Sequence, residues 1–77
     1  MSAVSSYSGI ERMLEKCAQG STVRLATHSR VVRYSGKVYR SLPKYDNIEL
    51  GHIRKMVRHL EIDRECATSV IPGLFPT

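Results

Sequence analysis

The sequence predicts an α+β fold of the order α-β-β-β-α, in which a three-stranded antiparallel sheet carries both helices on one face. Three observations lead there. SGIERMLEKCAQG and NIELGHIRKMVRHLEID place their apolar residues three and four apart, the spacing of an amphipathic helix. Residues 21–43, between them, are rich in Thr, Val, Tyr and Arg, which is strand composition. Within that stretch Ser35-Gly36 separates RVVRY from KVYRSLP and suits a two-residue hairpin turn. A lone sheet hides two helical stripes only if both helices share one face, which leaves the other open.

The elements follow in order. Residues 1–7 read as a flexible leader. In the first helix Ser8 is the expected cap, with Glu11 completing a capping box. Ile10, Met13, Leu14 and Cys17 form its stripe, and Gly20 suits the left-handed position that closes it. Strands are expected over about 22–27, 29–34 and 37–42. The second helix buries Leu50, Ile53, Met56, Val57 and Leu60, with Asp46 or Asn47 at its entry and His52 and His59 on its solvated side. Asp63 starts a short further turn through RECATS. The folded domain thus spans 8–66, and 67–77, with two prolines before Thr77 in VIPGLFPT, is an extended tail. At 77 residues this is one domain, and 42% apolar residues suffice for a folded core. A chain so short buries only about 60% of its unfolded surface, so its stability is modest.

A two-residue turn pairs Tyr34 with Lys37, Val32 with Tyr39 and Arg30 with Ser41. One face then shows Arg30, Val32, Tyr34, Lys37 and Tyr39, and the other Val31, Arg33, Val38, Arg40 and Leu42. Val31, Val38 and Leu42 assign the second face to the core, with Arg33 and Arg40 reaching outward along their stems. The first face is then the open one.

The net charge of +5 is concentrated in one place. No acidic residue lies between Glu15 and Asp46, a stretch that holds Arg24, Arg30, Arg33, Lys37, Arg40 and Lys44. Uncompensated charge of this kind points to a polyanion, most often nucleic acid. Arg30, Arg33, Lys37, Arg40 and Lys44 are the candidate phosphate contacts. Tyr34 and Tyr39 are candidate stacking residues, the plain alternative being cross-strand packing. His28 is the candidate catalytic group, because an imidazole suits acid–base work on a ribose hydroxyl and a scissile phosphate.

No Gly-rich phosphate loop, zinc spacing or Ser-His-Asp arrangement occurs, so no metal or other cofactor is expected. Cys17 and Cys66 lie on apolar helical faces and read as small hydrophobes. MSAVSSYSG lacks the basic start and apolar run of a signal peptide, and no stretch is apolar enough to span a membrane. A cytoplasmic protein is expected.

SLPKYDNIELGHIRKMVRHLEIDRE, with SGIERMLEKCAQG before it, resembles the HicA (YcfA-like) family of toxins. The likeness covers about residues 8–66 and rests on Pro43, Lys44, Gly51, Ile53, Ile62 and the closing Gly20. It implies a double-stranded-RNA-binding-like fold, an RNA partner, a metal-independent messenger-RNA endoribonuclease activity and a HicB-like antitoxin. The family's Gly-Ser-His triplet falls here on His28, Ser29 and Arg30. The catalytic His is therefore replaced by Arg30, which cannot act as a base near neutral pH. His28 shares the strand face of Arg30 about 7 Å away, in reach of a displaced role. The alternative function is a non-catalytic interaction module whose basic sheet face binds an acidic protein such as the antitoxin.

Overall fold

The computed structural model describes residues 3–75; positions 1–2 of the expected leader and 76–77 of the expected tail lie outside them. The elements are β1 (Val4–Ser6), α1 (Tyr7–Cys17), β2 (Thr22–Leu25), β3 (Arg30–Tyr34), β4 (Lys37–Leu42), β5 (Asn47–Glu49), α2 (Leu50–Leu60) and α3 (Arg64–Val70). The fold is α+β, with an antiparallel sheet in the order β2-β3-β4 and both long helices packed on one of its faces. The α-β-β-β-α order is as the sequence predicts. Two additions frame it: a two-stranded β1-β5 sheet and α3.

The hairpin turn forms as expected, with Ser35 at φ 52° and Gly36 at φ 80°, both left-handed. It sets Tyr34 opposite Lys37 and Val32 opposite Tyr39. Beyond that point the register shifts: Arg30 faces Leu42, so Arg40 and Ser41 together oppose Val31 in a β-bulge. The extra residue swings Leu42 onto the face of Val32 and Tyr39.

The bulge overturns the expected assignment of faces. The helices cover the side carrying Val32, Tyr34, Tyr39 and Leu42, with Val32 and Leu42 fully buried. Arg33, Val38 and Arg40 lie on the outer side instead. Strict alternation had counted Leu42 with Val38, and moving that one residue reverses the apolar balance of the two faces.

Both helical stripes pack as their spacing requires. Ile10, Met13 and Leu14 of α1 meet Leu50, Ile53, Met56, Val57 and Leu60 of α2 in one core. Such fully buried side chains contribute about 1.5–3 kcal/mol each. The cap of α1 is Ser6 rather than Ser8: its Oγ accepts from the Gly9 amide at 3.2 Å. The start moves because residues 4–6, expected in a loose leader, pair with β5 and deliver an extended chain directly to Tyr7.

The segment after Ile62 is not an extended tail. Asp63 caps α3 through the amides of Glu65 and Cys66. The chain then turns back so that Leu74 is fully buried, its carbonyl accepting from Arg54 Nε. Cys17 and Cys66 are not separate small hydrophobes. They form a disulfide joining α1 to α3, with their Cα atoms 5.7 Å apart.

Candidate nucleic-acid interface and adjoining cleft

The outer face of the sheet takes its side chains from alternate positions on each strand. β2 supplies Thr22 and Arg24, β3 supplies Val31 and Arg33, and β4 supplies Val38 and Arg40. Each strand thus sets one arginine on this face. Val31 also points here and is only 4% exposed. None of the three arginines meets a carboxylate among the described residues. Among the described residues the one ion pair is Lys37–Glu61 at 3.1 Å, which belongs to the other face.

The residues proposed from sequence therefore divide. Arg33 and Arg40 are exposed on the outer face, and Lys44 is exposed just beyond β4. Arg30 is buried: its guanidinium donates to the carbonyls of Pro43 (2.7 Å) and Tyr45 (3.1 Å) and lies over the Tyr7 ring. That makes it a brace between β3 and the chain leaving β4. Lys37 is engaged with Glu61. Tyr34 and Tyr39 pack half-buried against the core, and burial raises the Tyr39 phenol above its ordinary range. Arg24 replaces Arg30 as the third outer arginine, as follows once the faces are reversed.

His59, expected on a solvated helix side, ties α2 to β4. Its Nε2 lies 2.7 Å from the Val38 carbonyl, which can only accept, so Nε2 carries the hydrogen. Its ring also stacks at a tilt against Tyr39, with centroids 5.7 Å apart.

At the end of the sheet where β2 turns into β3, a cleft of about 480 Å³ opens. Its lining includes His28, Ser29, Ser41, Lys44, Tyr45 and His52. Hydrogen bonds fix its walls. Ser29 Oγ donates to the Arg40 carbonyl at 2.6 Å, and Lys44 Nζ donates to the carbonyls of Ala26 (3.1 Å) and Thr27 (3.2 Å). Tyr45 is 71% exposed. His52 projects from the first turn of α2 into the same space as His28, and nothing in the local sequence ties these two positions together. Only the packing of α2 beside the β4 exit does so.

A second groove of about the same volume lies between α1 and β2. Glu11 and Glu15 line it, which gives it the wrong sign for a polyanion. Among the described residues no three His, Cys, Asp or Glu side chains gather as a metal site requires, and no helix is long and apolar enough to cross a membrane. No protein-family model, no curated protein and no solved structure matches the chain.

Proposed function

We propose that the chain is an RNA-binding domain that grips the phosphate backbone on the outer face of its sheet. One observation carries the reading: three strands each set an arginine, Arg24, Arg33 and Arg40, on a face whose strands and turns contain no carboxylate. A guanidinium meets a phosphate through two parallel N–H bonds, which suits such a row to a polyanion. Lys44 extends the row past β4, and exposed Tyr45 beside it offers a ring on which a base can stack. The resemblance to HicA toxins supports the reading. It adds messenger RNA as the target and an acidic, antitoxin-like protein as a competitor for the same face. An RNA target places the chain in the cytoplasm, where thiols are kept reduced, so in this reading the Cys17–Cys66 bond forms on oxidation.

The test is fluorescence anisotropy of a labelled RNA hairpin across a salt series. Three to four phosphate contacts give a slope of log K against log salt of about −3. The double substitution R33E/R40E is expected to weaken binding at least about tenfold and flatten the slope by about 2. Absence of salt-dependent binding overturns the proposal. If, in that case, an acidic protein still binds through the same arginines, the chain is an interaction module instead.

A further inference from the structure

We propose that the free edge of β2, with the groove beside it, takes up an extended segment of a partner protein, a strand whose groove-facing side chains are apolar and basic. The proposal stands apart from the RNA-binding reading, because it uses the helix side of the sheet and the strand edge rather than the outer face.

The backbone supplies the first argument. β2 is an edge strand, paired with β3 alone. The Ala26 amide donates to the Ser29 carbonyl at 2.8 Å, which closes the hairpin between the two strands. In an antiparallel pair, residues bonded to the partner strand alternate with residues turned away from it. Counting back from Ala26, Arg24 and Thr22 are therefore turned toward β3, opposite Val31 and Arg33. Val23 and Leu25 are left with their N–H and C=O groups pointing out from the sheet. Among the described residues, nothing bonds them on that side. The other edge is partly closed: on β4 the His59 ring holds the Val38 carbonyl.

The side chains supply the second. Val23 lies opposite Val32, so Val23 and Leu25 point to the helix side of the sheet. Yet Val23 is 36% exposed and Leu25 65%. Between Val23 and α1 runs the groove that buried Leu14 and Ala18 floor and Glu11 and Glu15 flank. Soluble domains usually protect an edge with inward charge, a bulge or a covering element. β2 carries one charge, Arg24, and it points to the outer face.

The charges choose the occupant. Glu11 and Glu15 stand one helical turn apart, and among the described residues neither meets a Lys or Arg. A strand laid along β2 adds its inward side chains to the row of Val23 and Leu25. Apolar ones there meet apolar surface, and lysine or arginine meets the two carboxylates. Main-chain bonds hold such a strand and its alternate side chains select it. A second copy of this chain is a poorer match. Its β2 brings only Val23 and Leu25 to that side and leaves the carboxylates unpaired. The register that sets Val23 against Leu25 of the other copy also puts the two Arg24 side chains opposite each other.

The experiment uses the full chain and a labelled peptide that alternates threonine with valine and lysine, beside a control with glutamate for lysine. Affinity is read by anisotropy, and the strand edge by amide hydrogen exchange in NMR. In the free chain the Arg24 amide is expected to be protected, while those of Val23 and Leu25 exchange freely. Saturating lysine peptide should slow Val23 and Leu25 at least about tenfold. The glutamate peptide should bind at least about tenfold more weakly, and E11K/E15K should reverse that preference. Leu25→Pro removes an amide hydrogen that β3 does not use, at a position where edge strands tolerate proline. It should abolish peptide binding with the fold intact by circular dichroism; if it unfolds the chain, the charge reversal and the exchange data decide. Failure of the lysine peptide to bind, equal binding of both peptides, or binding without protection of Val23 and Leu25 each overturns the proposal. So does a dimer of the chain alone, seen by sedimentation and dissociated by Leu25→Pro, which would make a second copy the occupant.

Discussion

The guanidinium of Arg30 lies 3.6 Å from the centroid of the Tyr7 ring, joining the middle of the sheet to the first residue of α1. The same group donates to two carbonyls of the segment leaving β4, so one side chain links three parts of the chain. Arg30→Ala removes the stacked cation and strips two carbonyls of their donor. The expected loss of stability is about 2–4 kcal/mol, since hydrogen bonds from a charged group and a partly desolvated cation–π contact each contribute about 1–3. Arg30→Lys recovers little of it, because an ammonium cannot lie flat on the ring and reach both carbonyls. Urea midpoints measure the loss. The salt slope of RNA binding by Arg30→Ala, measured where that variant stays folded, is expected to match wild type, and a slope reduced by about 1 would show that Arg30 contacts phosphate after all.

Leu74 provides a second check, on the end of the chain. It is fully buried in the core beside α2, although it follows a Pro-Gly pair and lies in a stretch that reads as an extended tail. Leu74→Ala is expected to cost about 2–5 kcal/mol, the range for a large-to-small change in a packed core. A cost under about 0.5 kcal/mol in a thermal or urea melt would mean that the tail does not dock.

These two sites show where the sequence is legible and where it stops. Both helical stripes were readable because a period of 3.6 survives any change in neighbouring strands. The Ser35-Gly36 turn was readable because its two left-handed residues are a local requirement. The face of the sheet was not. It depends on one extra residue at Arg40–Ser41, and a bulge leaves no mark in the composition of a six-residue strand. Ser6 lost to Ser8 as the expected cap because the deciding partner, β5, lies some forty residues away in sequence. Pairing of Cys17 with Cys66, and of His28 with His52 in one cleft, likewise comes from how α2 and α3 fold back. Charge distribution pointed to a polyanion; which arginines share the outer face is fixed by the tertiary structure alone.

The tyrosines give a pH prediction. Burial raises the Tyr7 phenol, nearby Glu11 raises it further, and Arg30 opposes both; burial alone raises Tyr39. The folded chain therefore holds these protons more tightly than the unfolded chain, whose phenols ionise near pH 10. Their contribution is fully present below about pH 10 and is lost as pH rises through the higher folded values. Urea midpoints are expected to fall as the pH rises above about 10. The Y7F/Y39F double variant, which has no phenol at either position, should show a shallower fall; an identical fall would assign the effect to other groups.

The Cys17–Cys66 bond closes a loop of 49 residues between α1 and α3, long enough for cross-linking to restrict the unfolded chain substantially. For a loop of that length the stabilisation is about 2–4 kcal/mol. In a domain this small, that corresponds to roughly 8–30 °C in melting temperature. Dithiothreitol is expected to lower the melting temperature by that amount, and C17A/C66A should melt where the reduced wild type does. The rest of the core is substantial: Ile10, Met13, Ile53, Met56, Val57 and Leu60 are all fully buried. The reduced protein should therefore stay folded at 25 °C and keep its RNA affinity, because the outer sheet face lies on the other side of the core from the α1–α3 joint. Loss of binding on reduction, with the fold retained by circular dichroism, would instead make the disulfide a switch on the basic face. Unfolding on reduction would place the working protein in an oxidising compartment and remove the cytoplasmic RNA reading with it.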